Sequence, residues 1–331
     1  MTTPPPKAYC NCLAQERGLD PVGHAGSFDD CLIIETPLPW PNTLYQTAGA
    51  LPQTLLDLMA LWLKDYSAGA GYPHLPLVIA PDPQYSHEGL RRMLFYTRPA
   101  GAFARFDKVE YLVPTAEVGA LVWSLYQERA ALPRFEAYRV PAAEPIRDLL
   151  VCTHGTVDAA CAKFGFPLYK SLRTHHASDV LRVWRVSHFG GHVFAPTLMD
   201  MPTGHYWAYV GQTQAAHIVR RTGAVSALRG HYRGWAGMHV GFEQAAECEL
   251  WQQHGWSWFD YHKQATSTID PDGAEVAITY APADSTREVT ANLRVLTSHT
   301  VETPHSTNEP DSYDYPQYQI VRVNSTPPTG S

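Results

Sequence analysis

Residues 149–197 decide the fold of the second half of the chain and read LLVCTHGTVDAACAKFGFPLYKSLRTHHASDVLRVWRVSHFGGHVFAPT. Cys152 and Cys161 follow one short apolar run, and His188 and His192 follow another, inside the Gly-rich turn SHFGGH. Short apolar runs bounded by Gly or Pro predict buried strands. Because strand ends of an α/β sheet converge at one edge, we expect the two loops to meet in space.

The four side chains form the pattern Cys-x8-Cys, then 26 residues, and then His-x3-His. Two thiols and two imidazoles make a complete set of four ligands for a metal centre. Zinc accepts this set, but its cysteines typically lie two to four residues apart, and the eight residues between these cysteines make a large loop for one ion. The same loop suits a bulkier iron–sulfur cluster. The spacing alone leaves zinc and iron–sulfur as equal alternatives.

The remainder of the chain predicts an α/β fold in two domains. Helical and strand patterns alternate through the first half, including an apolar strand at residues 32–35 and an amphipathic helix at 51–66. A further helix is predicted at 115–132, and the Pro-rich segment 133–146 predicts a domain boundary. We therefore expect an N-terminal α/β domain over residues 1–140, with a degenerate thioredoxin-like unit as one interpretation.

A second domain is expected at residues 147–235. Residues 236–331 are expected to add a helix, an antiparallel β extension and a tail. Within the second domain, the Gly and Pro at 165–167 predict a break between two helices. An antiparallel strand is predicted at 193–198, and the polar segment 302–316 is predicted to be a loop.

The composition excludes several classes of protein. The 331 residues carry a net charge of −7, which argues against a nucleic-acid-binding protein, because such proteins usually present a basic field. The chain has no apolar run of the length that a transmembrane helix needs. Its start, MTTPPPKAYCNC, lacks the features of a secretory signal, so we expect a cytoplasmic protein with no membrane partner. Six cysteines are too few for a disulfide scaffold, and clustered Cys and His then favour a metal.

Several short motifs accompany the four candidate ligands. They are VCTHG at 151–155, SHFGGH at 187–192, FAP at 194–196, YW at 206–207, YRGW at 232–235, DPVG at 20–23 and LPWP at 38–41. Together these motifs resemble the sucrase/ferredoxin-like family, a branch of the thioredoxin-like ferredoxins. The most specific part of the resemblance is the Cys-x8-Cys and His-x3-His pattern.

The resemblance implies a thioredoxin-like ferredoxin fold for residues 147–235 and a [2Fe–2S] cluster held by Cys152, Cys161, His188 and His192. It also implies electron transfer, one electron at a time, to or from a redox partner protein. An electron carrier is then favoured over a catalyst with its own substrate pocket. The word sucrase carries little weight, because glycoside hydrolysis needs two carboxylates that flank the bond, and the sequence marks no such pair.

Two other functions stay open. The first is an oxidoreductase that relays electrons to a small acceptor such as a ferric chelate. The second, from a different class, is a zinc-stabilised interaction module.

Other residues near these motifs have simpler interpretations. His154 lies outside the ligand pattern and is expected beside the site, with a hydrogen bond toward a sulfur as one role. A second metal site built from Cys10, Cys12 and Cys31 is disfavoured, because Cys-x-Cys spacing suits one tetrahedral ion poorly. We expect Arg182 on a solvated face of its strand.

Histidine ligation predicts a raised and pH-sensitive reduction potential. Neutral imidazoles in place of two thiolates make the oxidised centre less negative, as in Rieske centres, whose potentials are roughly −150 to +300 mV. If both histidines bind one iron, an imidazole N–H that faces water releases a proton when that iron is oxidised. We expect the potential to fall as the pH rises between about 6 and 10. A redox titration that gives a constant potential over this range contradicts the coupling.

Overall fold

The computed structural model describes residues 8–68, 73–141, 146–285, 287–309 and 311–326. The helices are, in chain order, α1 Cys10–Glu16, α2 Gln53–Ser67, α3 Val118–Tyr126, α4 Ala159–His175, α5 Gln212–Arg220 and α6 Gly241–His254. The strands are β1 Asp30–Glu35, β2 His74–Ile79, β3 Leu90–Thr97, β4 Asp107–Pro114, β5 Arg147–Cys152, β6 Leu181–Val186, β7 Leu198–Met201, β8 His205–Trp207, β9 Tyr232–Trp235, β10 His262–Asp270, β11 Gly273–Ala281, β12 Val289–Pro304 and β13 Ser312–Thr326. None of the helices in the described ranges has the length and apolar character needed to cross a membrane.

Strands β1 to β9 form one mixed sheet in the order β4-β3-β1-β2-β6-β5-β7-β8-β9. β1 and β2 are parallel, as are β5 and β6, and the other neighbouring pairs are antiparallel. The two halves of the sheet repeat one arrangement. The segments β1-α2-β2-β3-β4-α3 and β5-α4-β6-β7-β8-α5 have the same chain order and the same strand order. The predicted α/β class is therefore confirmed.

The two halves join in the middle of this sheet. Ile79, the last residue of β2, pairs antiparallel with Val186, the last residue of β6. The backbone N–H of Ser187 also donates to the carbonyl oxygen of Val78 over 2.9 Å. The carboxyl ends of both parallel strand pairs therefore meet at the junction, where the residue after β6 bonds to β2 and the residue after β2, Ala80, bonds to Arg185 on β6. One sheet thus contains strands from both sides of the boundary predicted at 133–146.

Strands β10 to β13 form a separate antiparallel sheet of four strands, and α6 packs between this sheet and β9. The predicted antiparallel extension is confirmed. β10 has no apolar pattern that predicts a strand, because its sequence HKQATSTID is largely polar and mostly exposed. The loop predicted at 302–316 is present but shorter than predicted, because β12 extends to Pro304 and β13 begins at Ser312.

Helix α4 runs unbroken through Gly165 and Pro167, where the sequence predicts a break. The prediction is wrong because Gly165 allows a close contact between α4 and β5 and does not end the helix. A Cβ atom at this position would lie 2.0 Å from the carbonyl oxygen of Cys152. The missing side chain therefore lets α4 lie directly against the end of β5.

Two further bounds differ from the sequence prediction. The helix predicted at 115–132 ends at Tyr126, and a 3₁₀ helix follows over Arg129–Tyr138. The strand predicted at 193–198 begins only at Leu198, because the residues before it include a 3₁₀ turn over His192–Phe194.

A buried cluster of charges holds the two halves together. Asp148 on β5 is fully buried and accepts hydrogen bonds from Tyr96 on β3 (2.7 Å) and from Trp184 (2.8 Å) and Arg182 (2.9 Å) on β6. Lys108 on β4 also pairs with Asp148. The expectation of a solvated face for Arg182 is wrong, because its side chain is 5% exposed and turned to these partners.

Glu110 on β4 completes the cluster. It accepts two hydrogen bonds from Arg182, at 2.9 and 2.7 Å, and also pairs with Arg92. Burial raises the pKa of Asp148, but Lys108 and Arg182 outweigh burial and hold that pKa well below its usual value. Burial acts on Glu110 in the same way, and its bonds to Arg182 again lower the pKa. Both carboxylates are therefore ionised and paired at neutral pH.

Asp148→Asn leaves Arg182 and Lys108 without one of their buried counter-charges. We expect the free energy of unfolding at neutral pH to fall by roughly 3–5 kcal/mol, the usual cost of removing one partner of a buried pair. Because folding depresses the pKa of Asp148, the wild-type protein loses this contribution as the pH falls below about 4, the unfolded value. The variant has no such contribution to lose.

Urea denaturation at neutral pH and at about pH 3 measures both effects. Asp107→Asn, at an exposed position on β4, is the matched control and should change neither value appreciably. Equal stabilities for wild type and Asp148→Asn at neutral pH would contradict the role assigned to the cluster.

Candidate metal centre

The structure brings three of the four predicted ligands into one group. Cys152 ends β5, Cys161 lies in the first turn of α4, and His188 follows β6. The Nδ1 atom of His188 lies 3.8 Å from the sulfur of Cys152 and 3.7 Å from that of Cys161. The three donor atoms lie within 4.8 Å of one another, and within the described ranges no other group of Cys, His, Asp and Glu is arranged to hold a metal ion.

His192, the fourth predicted ligand, lies beside this group. Its ring stacks on that of His188, with the ring centroids 5.0 Å apart. His192 is 7% exposed, and among the residues that the structure describes neither of its ring nitrogens has a hydrogen-bond partner. Buried polar atoms without a partner are rare in folded proteins. These nitrogens are therefore available to a metal centre, and the residues fit the expected set of two thiols and two imidazoles.

The turn SHFGGH depends on its two glycines. Gly190 and Gly191 have φ angles of +91° and +76°, in the left-handed region that other residues rarely adopt. A Cβ atom on Gly191 would also lie 2.6 Å from Nη2 of Arg233 and 2.8 Å from the ring of Phe194. The glycines thus let the chain turn tightly between the two histidines while it packs against this arginine.

The two thiols hold their protons unequally. Burial raises the pKa of Cys152, but hydrogen bonds with Cys161 and His188 outweigh burial and hold that pKa well below its usual value. The hydrogen bond with Cys152, together with burial, raises the pKa of Cys161 well above its usual value. The first thiolate therefore forms on Cys152, and a cation that binds both sulfurs displaces a proton from Cys161.

The imidazole of His192 is neutral, as a metal ligand must be. Burial, followed by the proximity of His188, lowers the pKa of His192 to about 4. The ring is thus ready to donate a nitrogen lone pair without first losing a proton.

His154 supports the loop that carries His188. Its Nδ1 atom accepts the backbone N–H of His188 over 3.3 Å, and its Nε2 atom lies 3.1 Å from the carbonyl oxygen of Pro41 in the first half. Burial lowers the pKa of His154. Both ring nitrogens of His154 are thus engaged with backbone groups, and the backbone of His154 helps to lower the pKa of Cys152. The ring therefore positions the backbone of a candidate ligand and links the site to the first half.

A segment far along the chain covers the site. We call residues 305–308, between β12 and β13, the cover. The carboxylate of Asp158 caps α4 by accepting the N–H of Ala160 (2.7 Å), and it also accepts the hydroxyl of Ser306 (2.8 Å) and the N–H of Thr307 (2.7 Å). Burial raises the pKa of Asp158, but these hydrogen bonds outweigh burial and lower it. An ionised carboxylate therefore joins the helix that carries Cys161 to the cover.

The cover also contacts His192 and α1. The ring centroid of His305 lies 4.6 Å from that of His192, and its Nδ1 atom lies 2.5 Å from the hydroxyl of Tyr315. Thr307 accepts the backbone N–H of Cys10 over 3.1 Å and donates to its sulfur over 3.2 Å. Sequence reasoning misses these residues, because the segment is polar and shows no ligand spacing.

The remaining cysteines near the N-terminus are core or helix residues. Burial raises the pKa of Cys10 to about 11 and that of Cys31 well above its usual value. Cys12 is half-buried on α1, and burial raises its pKa as well. These thiols are therefore protonated at neutral pH and lack the thiolate character of a reactive or ligating cysteine.

The donor set decides which chemistry the site supports. Thiolates and imidazoles select zinc and iron–sulfur centres, whereas calcium and magnesium require oxygen ligands. The two sulfurs reach the site from β5 and α4, and the two imidazoles reach it from the loop after β6. The arrangement therefore suits a small metal centre with two sulfur and two nitrogen ligands.

Comparison with known proteins gives one match. A family model described as Sucrase/ferredoxin-like matches residues 21–234, which is more than half of the chain. The matched range contains all four predicted ligands, whereas α1, the four-stranded sheet and the cover lie outside it. No curated protein and no solved structure matches the chain.

Asp158→Ala removes both the cap of α4 and the attachment point of the cover. Loss of the cap alone costs about 1 kcal/mol, and the hydrogen-bond donors of the cover lose their acceptor. We expect the backbone amides of residues 305–308 to exchange with deuterium about tenfold faster than in the wild type, with those of β11 unchanged. Ser306→Ala removes a single hydrogen bond and should give a smaller increase. If the cover of the Asp158→Ala protein exchanges with deuterium at the wild-type rate, the Asp158 carboxylate does not hold the cover.

Proposed function

The chain belongs to the sucrase/ferredoxin-like family, and on that premise we propose that it is an electron-transfer protein. It carries one electron at a time on a [2Fe–2S] cluster held by Cys152, Cys161, His188 and His192. One observation supports this proposal most directly. Two buried thiols and an imidazole nitrogen lie within 4.8 Å of one another, beside a second buried imidazole whose two nitrogens have no hydrogen-bond partner in the described part of the chain.

The residues around the site provide what such a centre needs. Cys152 and Cys161 are each 1% exposed, so water is excluded from their sulfurs. His188 is the proposed ligand that is only half-buried, and its ring therefore gives the centre a path to solvent and to a redox partner protein. The cluster, when bound, supplies a reversible one-electron step. The partial exposure of His188 also supports coupling of this step to a proton.

We also propose that both halves of the nine-stranded sheet are thioredoxin-like units. The ferredoxin unit lies at residues 147–235, a degenerate copy lies within residues 1–140, and residues 236–331 form the extension. The repeated chain order and strand order support this division. β5 ends in Cys152 and β1 ends in Glu35, so a carboxylate stands in the first half where the second has a thiol. The first unit thus keeps the order of strands and helices but lacks the candidate ligands.

A relay to a small ferric chelate is the second candidate function, and a cavity beside the site favours it. The cavity has a volume of about 580 Å³ and is lined by Trp40 of the first half and by His154 of the second. Lys163 and Arg185 also line it, and neither forms an ion pair within the described ranges. An anionic chelate would therefore meet two cations that form no other ion pair with the residues described.

A zinc-stabilised interaction module is the third candidate, because the same four ligands accept zinc. Zinc has no visible absorption and no redox step, whereas an iron–sulfur centre has both. Colour and metal content therefore separate the two.

We expect the purified protein to be red-brown, to bleach with dithionite and then to give an EPR signal with the low average g value of histidine ligation. Cys152→Ser and His188→Ala should each remove or shift the visible bands, because each removes a ligand. Cys248→Ala, which changes a buried cysteine on α6 outside the site, is the matched control and should leave the spectrum unchanged.

A colourless protein with one bound zinc would reject electron transfer in favour of the interaction module. Unchanged spectra in both ligand variants would reject the ligand set. Mixing the reduced protein with ferric citrate separates the first two candidates. Rapid reoxidation that Lys163→Glu slows indicates the relay, and the lack of reoxidation indicates a carrier that needs a partner protein.

A further inference from the structure

Arg233, on β9, is a buried cation next to the candidate site. Its side chain is 3% exposed. Its Nη1 atom donates to the carbonyl oxygen of Gly190 over 3.2 Å, and its Nη2 atom donates to that of His24. The guanidinium also lies over the ring of Phe194, 4.8 Å from the centroid. Arg233 is therefore held against the turn that carries the two candidate histidine ligands.

No carboxylate in the described part of the chain compensates the charge of Arg233. Within the described ranges Arg233 forms no ion pair, and its Nε atom has no hydrogen-bond partner. Arg182, which is as deeply buried, pairs instead with both Asp148 and Glu110. Burial lowers the pKa of Arg233 to about 10, so the side chain is still charged at neutral pH. A buried charge without a counter-charge destabilises the fold. A group of opposite charge that binds nearby would therefore be stabilised by Arg233.

The candidate site lies next to Arg233. Gly190, whose carbonyl oxygen accepts from the guanidinium, is two residues from each candidate histidine ligand, and Gly191 leaves the space that the guanidinium fills. With two thiolates and two neutral imidazoles, an oxidised [2Fe–2S] centre is formally uncharged, and one added electron makes it anionic. A fixed cation nearby lowers the energy of the anionic form relative to the neutral one.

We propose that Arg233 is the counter-charge of the metal centre, and that it stabilises the reduced state and so raises the reduction potential. The inference rests on the proposed electron-transfer function and deepens it, because it assigns control of the potential to a residue that is not a ligand. Arg233 contacts the turn and not the metal, so it acts through its field and through the position of the turn.

The same charge has a different effect on the oxidised centre. There the guanidinium lies beside a formally uncharged centre, and replacing it with an apolar side chain relieves the cost of a buried charge. In the reduced centre the replacement also removes an attraction. A residue with a packing role alone would stabilise both forms equally.

Redox titration of the loaded protein, followed by visible absorbance, tests the proposal. Arg233→Met removes the charge but keeps a long side chain, and Arg233→Lys keeps the charge. We expect R233M to shift the equilibrium about tenfold toward the oxidised form, equivalent to a potential about 59 mV lower for a one-electron couple. R233K should stay within about threefold of the wild type. Arg105→Met removes an exposed cation outside the site and should shift nothing.

The visible absorbance of the oxidised protein per mole of chain is the second readout, and R233M should there match the wild type, because the oxidised centre is uncharged. An unchanged potential in R233M, or an equal shift in R233M and R233K, overturns the proposal. If R233M takes up no cluster, Arg233→Gln, which also removes the charge, is titrated in its place. A wild-type protein without the chromophore refutes the electron-transfer function itself. A coloured protein with an unchanged R233M potential refutes only the role of Arg233.

Discussion

The buried charges around Asp148 are the constraint on which the rest of the structure depends. β2 and β6 pair only where both strands end, at Ile79 and Val186, so the backbone alone makes a short seam between the two halves. Arg182 on β6 bonds both to Asp148 on β5 and to Glu110 on β4, and Lys108 on β4 pairs with Asp148. Charges that are removed from water are stable only when they are paired. All the ion pairs of this network therefore form together in one relative position of the two halves. That position fixes the ends of β5 and β6, from which the candidate ligands follow.

Local patterns in the sequence predict most of the strands and the stretch that contains the candidate ligands, because apolar runs and ligand spacing depend on neighbouring residues. The incorrect predictions concern contacts between residues that are far apart in the chain. Arg182 reads as a solvated residue because its partners Asp148 and Glu110 lie 34 and 72 residues away. Gly165 reads as a helix break because the backbone that it approaches belongs to β5. Neither partner can be recognised from the residues next to it.

The surroundings of the candidate site come from parts of the chain that no single motif covers. Residues 21–234 match the family and contain the proposed ligands, whereas α1 and the cover lie outside that range. Ser306 reaches Asp158 across 148 residues, and Thr307 reaches Cys10 across 297. The sequence therefore identifies the donor atoms, which share a recognisable spacing. The sequence does not identify the cover that shields these atoms, because the residues of a short polar turn do not show which surface the turn contacts.

The contact between Thr307 and Cys10 imposes an order on the maturation of this protein. As the chain leaves the ribosome, Cys152 and the residues up to His192 emerge well before the cover. When Thr307 docks, the hairpin of β12 and β13 is tied to α1 and α4 and covers one side of the candidate ligands. The half-buried His188 still faces solvent. The cover is thus the last part of the surroundings to be synthesised, and it closes over side chains that already exist.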